Sequence, residues 1–260
     1  MRGSIPYLVA VPLLFTQSSL FAQATPAEDM WLRSGISLQV GVGRYSVRDE
    51  YISTEKYSGT LPSFTASWSR LRTSGGYRIG VEHRHSSEIR NNNISAGITQ
   101  FSLDLDYLYR IATPSLFSRD AYLLLGPSTG FFMYFSELNI AYSELEIPYS
   151  FAVLVPLGVN SSLIWPMSDR LQMTGSMRTS VFSLGLRMID LVEDADEVAP
   201  LRFLTVASGT NTSLGLGVRF LLMARLALQF GYELQVLRVS PWDSLLSASD
   251  NLLVGITVGL

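Results

Sequence analysis

The chain has 260 residues, 47% of them hydrophobic and 16% charged, with a formal net charge of -3 and no cysteine. The missing cysteines exclude a disulfide scaffold, a thiolate zinc site and a thiol nucleophile, and a weakly negative chain has no electrostatic reason to bind nucleic acid. Charge lies well below the roughly 25% of a soluble domain and the cations are arginines save for Lys56, a balance that points to a membrane-embedded or strongly apolar surface.

The chain opens with an address. Met1 and Arg2 are followed by the apolar run 7–15 (YLVAVPLLF) and by Ala22-Gln23-Ala24, a small-x-small cleavage signal. Residues 1–24 therefore read as a secretory signal peptide, with 25–260 as the folded part. The run of nine is too short for a spanning helix, which needs about 20 residues, and no later apolar run is longer than that of a buried strand or core segment.

From there the signal has period two and recurs in segments of about ten residues. Segments 35–45 and 62–71 alternate weakly. In 77–85 the rows are Tyr77, Ile79, Val81, His83 against Arg78, Gly80, Glu82, Arg84. In 100–111 they are Phe101, Leu103, Leu105, Tyr107, Tyr109, Ile111 against Ser102, Asp104, Asp106, Leu108, Arg110. Segments 120–135 and 148–162 are apolar on both parities, which leaves their facing open. The pattern returns in 171–178 (Met173 and Met177 against Thr174 and Arg178), 213–220 (Leu214, Leu216, Val218 against Gly215, Gly217, Arg219), 226–236 (Leu228, Phe230, Tyr232 against Gln229, Gly231, Glu233) and 252–260. The count is ten, with eight or twelve as alternatives. The links near 72–76, 112–119, 163–169 and 222–225 are short and rich in turn residues. Those near 46–61, 86–96, 136–147, 186–210 and 238–249 are longer, and one carries the acidic run Glu193, Asp194, Asp196, Glu197. Short turns on one side and long loops on the other predict an all-β fold, a transmembrane antiparallel up-and-down barrel with both termini on the turn side.

A soluble periplasmic barrel holding an apolar ligand would share this alternation with the opposite face inward. Four features favour apolar-out. The polar row is crowded with small residues (Gly80, Ser102, Gly215, Gly217, Gly231); its charges are mixed and dominated by Arg, which suits paired, poorly hydrated sites; aromatics (Phe64, Trp68, Tyr77, Tyr107, Tyr109, Phe220) collect near strand ends as interfacial girdles do; and the sequence ends within its last amphipathic strand. The predicted lumen network is Arg78, Glu82, Arg84, Asp104, Asp106, Arg110, Arg178, Arg219 and Glu233. Asp104 and Asp106 form a D-x-D pair open to a metal or acid/base reading, and are expected instead to pair with Arg78, Arg84 or Arg110. Gly41-Val42-Gly43 and Gly215-Leu216-Gly217 lie mid-strand with no following helix and are not phosphate loops. No cofactor or metal is expected; His83 and His85 share a face but lack further ligands by sequence.

On this pattern the chain resembles the small outer-membrane β-barrel proteins of Gram-negative bacteria, and 121–132 (AYLLLGPSTGFF) is similar to segments of porin-like barrels of the Bacteroidota and their relatives. The resemblance implies an outer-membrane location, lipid and lipopolysaccharide as surroundings, a monomer, and delivery to the barrel assembly machinery through the last strand. Such chains usually close on an aromatic residue, where this one has Leu260. His85-x-Ser87, with 97–103 across the next loop, also resembles the outer-membrane lipid A 3-O-deacylases, in which a His and Ser two apart and a Glu on the next strand cleave a lipid-side ester. Here Thr99 stands where that Glu is expected, and Thr cannot charge-stabilise a catalytic imidazole; Glu88 replaces the usual Asn, on the other parity. The expected function is a non-catalytic barrel with a structural, binding or narrow passive-transport role, since a ten-stranded bore is largely filled by side chains. The alternative is a lipid A or phospholipid ester hydrolase acting at His85 and Ser87.

Overall fold

The computed structural model describes residues 34–50, 53–72, 74–91, 94–139, 149–189, 201–240 and 244–260. The signal peptide (1–24) and the acidic run 193–197 lie outside the described residues. Ten long strands close into one antiparallel up-and-down barrel. In chain order they are β1 (Gly35–Asp49), β2 (Ser53–Arg72), β3 (Gly75–Arg90) and β4 (Ser95–Ala112); after the small turn strands β5 (Ser115–Leu116) and β6 (Arg119–Asp120) come β7 (Tyr122–Asn139), β8 (Tyr149–Pro166) and β9 (Leu171–Ile189); a short β10 (Arg202–Thr205) leads to β11 (Gly209–Met223), β12 (Leu226–Val239) and β13 (Leu245–Gly259). Each long strand pairs with its chain neighbour, β10 forms a spur on β9, and the β1–β13 pairing closes the ring.

The pairing is staggered. From Gln39 the register runs through Thr65, Glu82, Ser102, Phe132 and Leu154 to Gly185; the other way round, through Gly255, Gln229 and Arg219, it reaches Gln172, thirteen residues lower on β9. Such a stagger tilts the strands by roughly 35–45°. The strands are also longer than the sequence pattern predicts, at 14–20 residues, whereas a tilted strand crosses a bilayer in about 9–11. Much of the barrel therefore projects beyond one apolar band.

The two parts are built with opposite polarity. Toward the turns, β1 points Ile36, Leu38, Val40 and Val42 outward, all exposed, and Ser37 and Gln39 inward, both buried. Toward the loops, the same strand points Arg44, Ser46 and Arg48 outward and buries Tyr45 and Val47. β12 repeats the change, with Leu234 and Val236 giving way outside to Arg238, and Glu233 and Gln235 giving way inside to Leu237 and Val239. β2 does so in reverse order, Tyr57 and Leu61 preceding Ser63 and Thr65 on its inner face. The loop-side bore is thus filled by an apolar core that includes Tyr45, Tyr57, Leu61, Ile89, Ile98, Phe132, Tyr134, Leu154, Leu237 and Leu245. Each fully buried Leu or Ile there contributes about 1.5–3 kcal/mol.

This inversion accounts for two departures from the sequence prediction. The stretches 46–61, 86–96 and 238–249, expected as long loops, are mostly strand: period two persists, but its apolar row has moved inside. Segments 120–135 and 148–162 are apolar on both parities because their inner rows serve apolar clusters. Phe132, Tyr134, Ala152 and Leu154 join the loop-side core, while Tyr122, Leu124 and Ile164 pack with Leu108 at the turn side. A register shift between Ser86 and Ile89 turns Ile89 inward and leaves Glu88 exposed beside Arg90, not on the lumen parity expected from counting. Such an extra residue is the ordinary consequence of a β-bulge.

Candidate functional site

The turn-side lumen is where the chain places most of its buried charge. Arg84, on β3 and only 1% exposed, is gripped by Glu82 through Nε–Oε1 at 2.8 Å and Nη2–Oε2 at 2.9 Å; it donates to Ser249 Oγ at 2.7 Å and reaches Glu233 across the bore at 3.4 Å. Arg178, on β9, holds the D-x-D pair of β4: Nη1 meets Asp104 at 2.6 Å, while Nη2 and Nε donate to Asp106 at 2.5 and 3.2 Å. The expected ion pairing of Asp104 and Asp106 is present, but the cation is Arg178 rather than Arg78, Arg84 or Arg110. The sequence spacing cannot show this, because the partners face each other across a bore whose stagger sets the height of each strand. Arg110 departs further: it lies on the lumen parity but is exposed at the turn-side mouth, outside the network.

A cavity of about 130 Å³ remains in the middle of this layer, lined among others by Arg78, Glu82, Asp104, Arg178, Glu233 and Gly231. Its volume has room for roughly ten waters at most. Glycines keep the neighbouring wall thin: a Cβ on Gly215 or Gly217 would come within 2.7 Å of the Ser176 or Thr174 hydroxyl, whereas one on Gly80 meets nothing nearer than 3.9 Å. Below the cavity Gln229 accepts hydrogen bonds from Ser37 and Thr257, each at 3.1 Å. Glu82, Asp104, Asp106 and Glu233 each carry a guanidinium partner, and the Arg84–Glu233 and Arg178–Asp104/Asp106 contacts brace the bore.

Arg78 and Arg219 differ. Arg78 lies within Coulomb reach of Asp104, Asp106 and Glu233, yet no ion pair joins it to a carboxylate among the described residues. Arg219 faces it from the opposite wall, five strands round the ring of ten, and its buried Nε has no hydrogen-bond partner. A cleft lined by Arg219, Arg225, Ser34, Ser69 and Thr257 leads from there to the turn-side mouth.

One buried pair escaped the sequence reading altogether. Arg187 on β9, with no exposed surface, is paired with Asp49 at the loop end of β1, inside the apolar core. Both residues lie in stretches expected as loops. The available signal was the row Ser183, Gly185, Arg187 against Phe182, Leu184, Leu186, which continues period two after a one-residue slip at Val181.

The histidines face outward. His83 and His85 stack with ring centroids 6.5 Å apart, and His85 Nδ1 lies 3.0 Å from Thr99 Oγ1, its register partner. Ser87 sits in the bulge; its carbonyl accepts from Asn139 at 3.1 Å, and no hydrogen bond joins its hydroxyl to His85 among the described residues. The outward aromatics Trp68 and Tyr77 meet edge-on at 5.1 Å and Tyr107 and Tyr109 lie 4.7 Å apart, forming a turn-side aromatic patch on β2–β4.

No known sequence family matches the chain, and no curated protein sequence matches it. Solved structures similar to it are outer-membrane barrels. The translocator domain of autotransporter NalP from Neisseria meningitidis has 12% identity over 88% of each chain and a TM-score of 0.49. The outer membrane protease OmpT from Escherichia coli has 7% identity over 88% of this chain and 97% of its own, with a TM-score of 0.44. The attachment invasion locus protein Ail of Yersinia pestis has 12% identity over 86% and 99%, with a TM-score of 0.34. Likenesses this distant carry no functional argument, and the barrel assignment stands on the closed strand pairing and the facing of its side chains.

Proposed function

We propose that this chain is an outer-membrane barrel of a Gram-negative envelope, of porin-like shape but without an open pore, acting through its surface and loop side in envelope structure or binding. The carrying observation is the pairing of an exposed apolar belt with a charged, enclosed lumen. Val40, Leu216 and Leu252 are 61–65% exposed, while Arg84, Asp106 and Asn251 are at most 3% exposed. In water that arrangement would be inside out, because exposing so many apolar rows is unfavourable there; against hydrocarbon that cost disappears, and the ions lie on the face turned away from lipid, where their guanidinium–carboxylate pairing offsets their burial. The same facing argues against a soluble periplasmic ligand-binding barrel. The Arg–carboxylate braces and the loop-side core argue against a general diffusion pore, leaving at most slow passage of a small solute.

The test has two arms. Fractionation should recover the protein in the outer membrane, with a gel mobility that changes on boiling as a closed barrel unfolds. In planar bilayers it should give no large, stable conductance. Recovery in the soluble fraction without detergent would overturn the membrane assignment, and a stable open channel would overturn the closed lumen.

A second reading rests on the contact between His85 and Thr99 on the outward face beside Ser87. A lipid-side ester hydrolase would use Ser87 as nucleophile and His85 as base, with Thr99 orienting the ring but supplying no charge. Mass spectrometry of lipid A from cells with and without the protein separates the readings: an unchanged acyl pattern removes the hydrolase.

A further inference from the structure

The turn-side half of the lumen contains donors with nothing to donate to. Arg219 stands in a register row between Gln172 on β9 and Gln229 on β12, all facing the bore. Gln172 is 1% exposed, and neither its amide nitrogen nor its oxygen has a hydrogen-bond partner; the Nε of Arg219 is likewise buried and unpartnered. Buried polar groups are hydrogen-bonded in the great majority of cases, so a cluster of orphans calls for an occupant. Charge narrows its chemistry. Arg84 and Arg178 each hold two carboxylates and Arg78 has three within Coulomb reach, but the charge that acts on Arg219 is the like charge of Arg78 across the bore. Arg225, Ser34 and Ser69 line the route from the turn-side mouth.

We propose that the turn-side lumen is a binding site for a small oxyanion, held by the Arg219 fork and the Gln172 amide and attracted by Arg78 from the opposite wall. A guanidinium presents paired donors that match two oxygens of a phosphate or carboxylate. The Gln172 nitrogen donates to a third oxygen, while its carbonyl oxygen accepts from a protonated oxygen of hydrogen phosphate. The site opens onto the bore rather than the lipid face, so the occupant is a soluble solute arriving from the turn side, and the loop-side apolar core makes the site a dead end.

The experiment titrates inorganic phosphate by calorimetry into the full chain folded in detergent, at constant ionic strength set with sodium chloride. Saturable binding is expected, weakened by about tenfold or more in Arg219→Gln and weakened in Gln172→Leu, which keeps every lumen charge. Arg110→Gln, altering an exposed arginine at the same mouth, should bind as the parent does. Heat-modifiable gel mobility reports folding of each variant, and Gln172→Leu carries the test where Arg219→Gln does not fold. No saturable heat with phosphate, or equal affinity in parent and both site variants, overturns the proposal.

Discussion

The loop-side and turn-side halves of this barrel share strands, register and closure but solve opposite solvation problems. Toward the loops β1 is arranged as in a water-soluble barrel, Tyr45 and Val47 inside and Arg44 and Arg48 outside; seven residues earlier Leu38 and Val40 face out and Gln39 faces in. One period-two pattern serves both, because the alternation fixes only that two faces differ and the surrounding medium decides which is apolar. The comparison also separates what an ion pair does. The turn-side pairs brace a wet, charged bore; the loop-side pair Arg187–Asp49 is sunk in hydrocarbon side chains.

The largest effect should come from that loop-side pair. Removing one partner of a buried pair leaves an uncompensated charge and costs about 3–5 kcal/mol. Arg187→Leu should lower the urea midpoint of the detergent-folded barrel accordingly, and the double variant Arg187→Leu with Asp49→Leu should recover much of the loss. A single variant no worse than the double would mean that the loop-side bore is wet.

Next is the core around the pair. Leu61 has no exposed surface, so Leu61→Ala should cost about 2–5 kcal/mol through lost burial and a residual cavity. Leu216→Ala, on the outward belt, removes no packed core and should cost far less. Comparable losses at the two sites in the same urea titration would erase the distinction between core and belt.

A charge placed on the outer surface should tell the halves apart with a slightly smaller effect. Leu216→Arg puts a guanidinium against the apolar belt and should cost about 2–4 kcal/mol. Ala248→Arg, outward on the loop-side part of β13, should stay within about 0.5 kcal/mol. The readout is the folded fraction in lipid vesicles across a denaturant series; a heavy penalty at residue 248 would move the belt toward the loops.

Much of the turn-side half was legible in the sequence. Rows such as Leu214, Leu216, Val218 against Gly215, Gly217, Arg219 carry their facing openly, and most of the lumen set is where the alternation puts it. The loop-side half was hidden because its sense inverts: a search for apolar-out segments ends the first strand at residue 45 and reads 46–61 as loop. Bulges at 86–89 and at Val181 then shift the count by one, misplacing Glu88 and concealing Arg187. Partner choice was beyond sequence for a different reason. Asp106 and Arg178 are 72 residues apart, and only the accumulated stagger of the intervening strands brings them level.

The smallest effect is the most exacting check on the loop-side surface. Arg48 pairs with Glu50 at 3.2 Å, with side chains 51% and 37% exposed, immediately beside Asp49 in sequence. If the outer face here is bathed in water, Arg48→Ala should cost no more than about 1 kcal/mol. That residue of stability should also fade as salt rises, because exposed charges are screened over a Debye length of about 8 Å at physiological ionic strength. Arg187→Leu, its partner buried one residue away from Arg48, should show little salt dependence, since no mobile ion reaches the pair. The two responses to salt in one urea series therefore measure the polarity of the two faces of a single strand end. Equal salt slopes would place both pairs in the same medium and remove the inversion on which the two-part barrel rests.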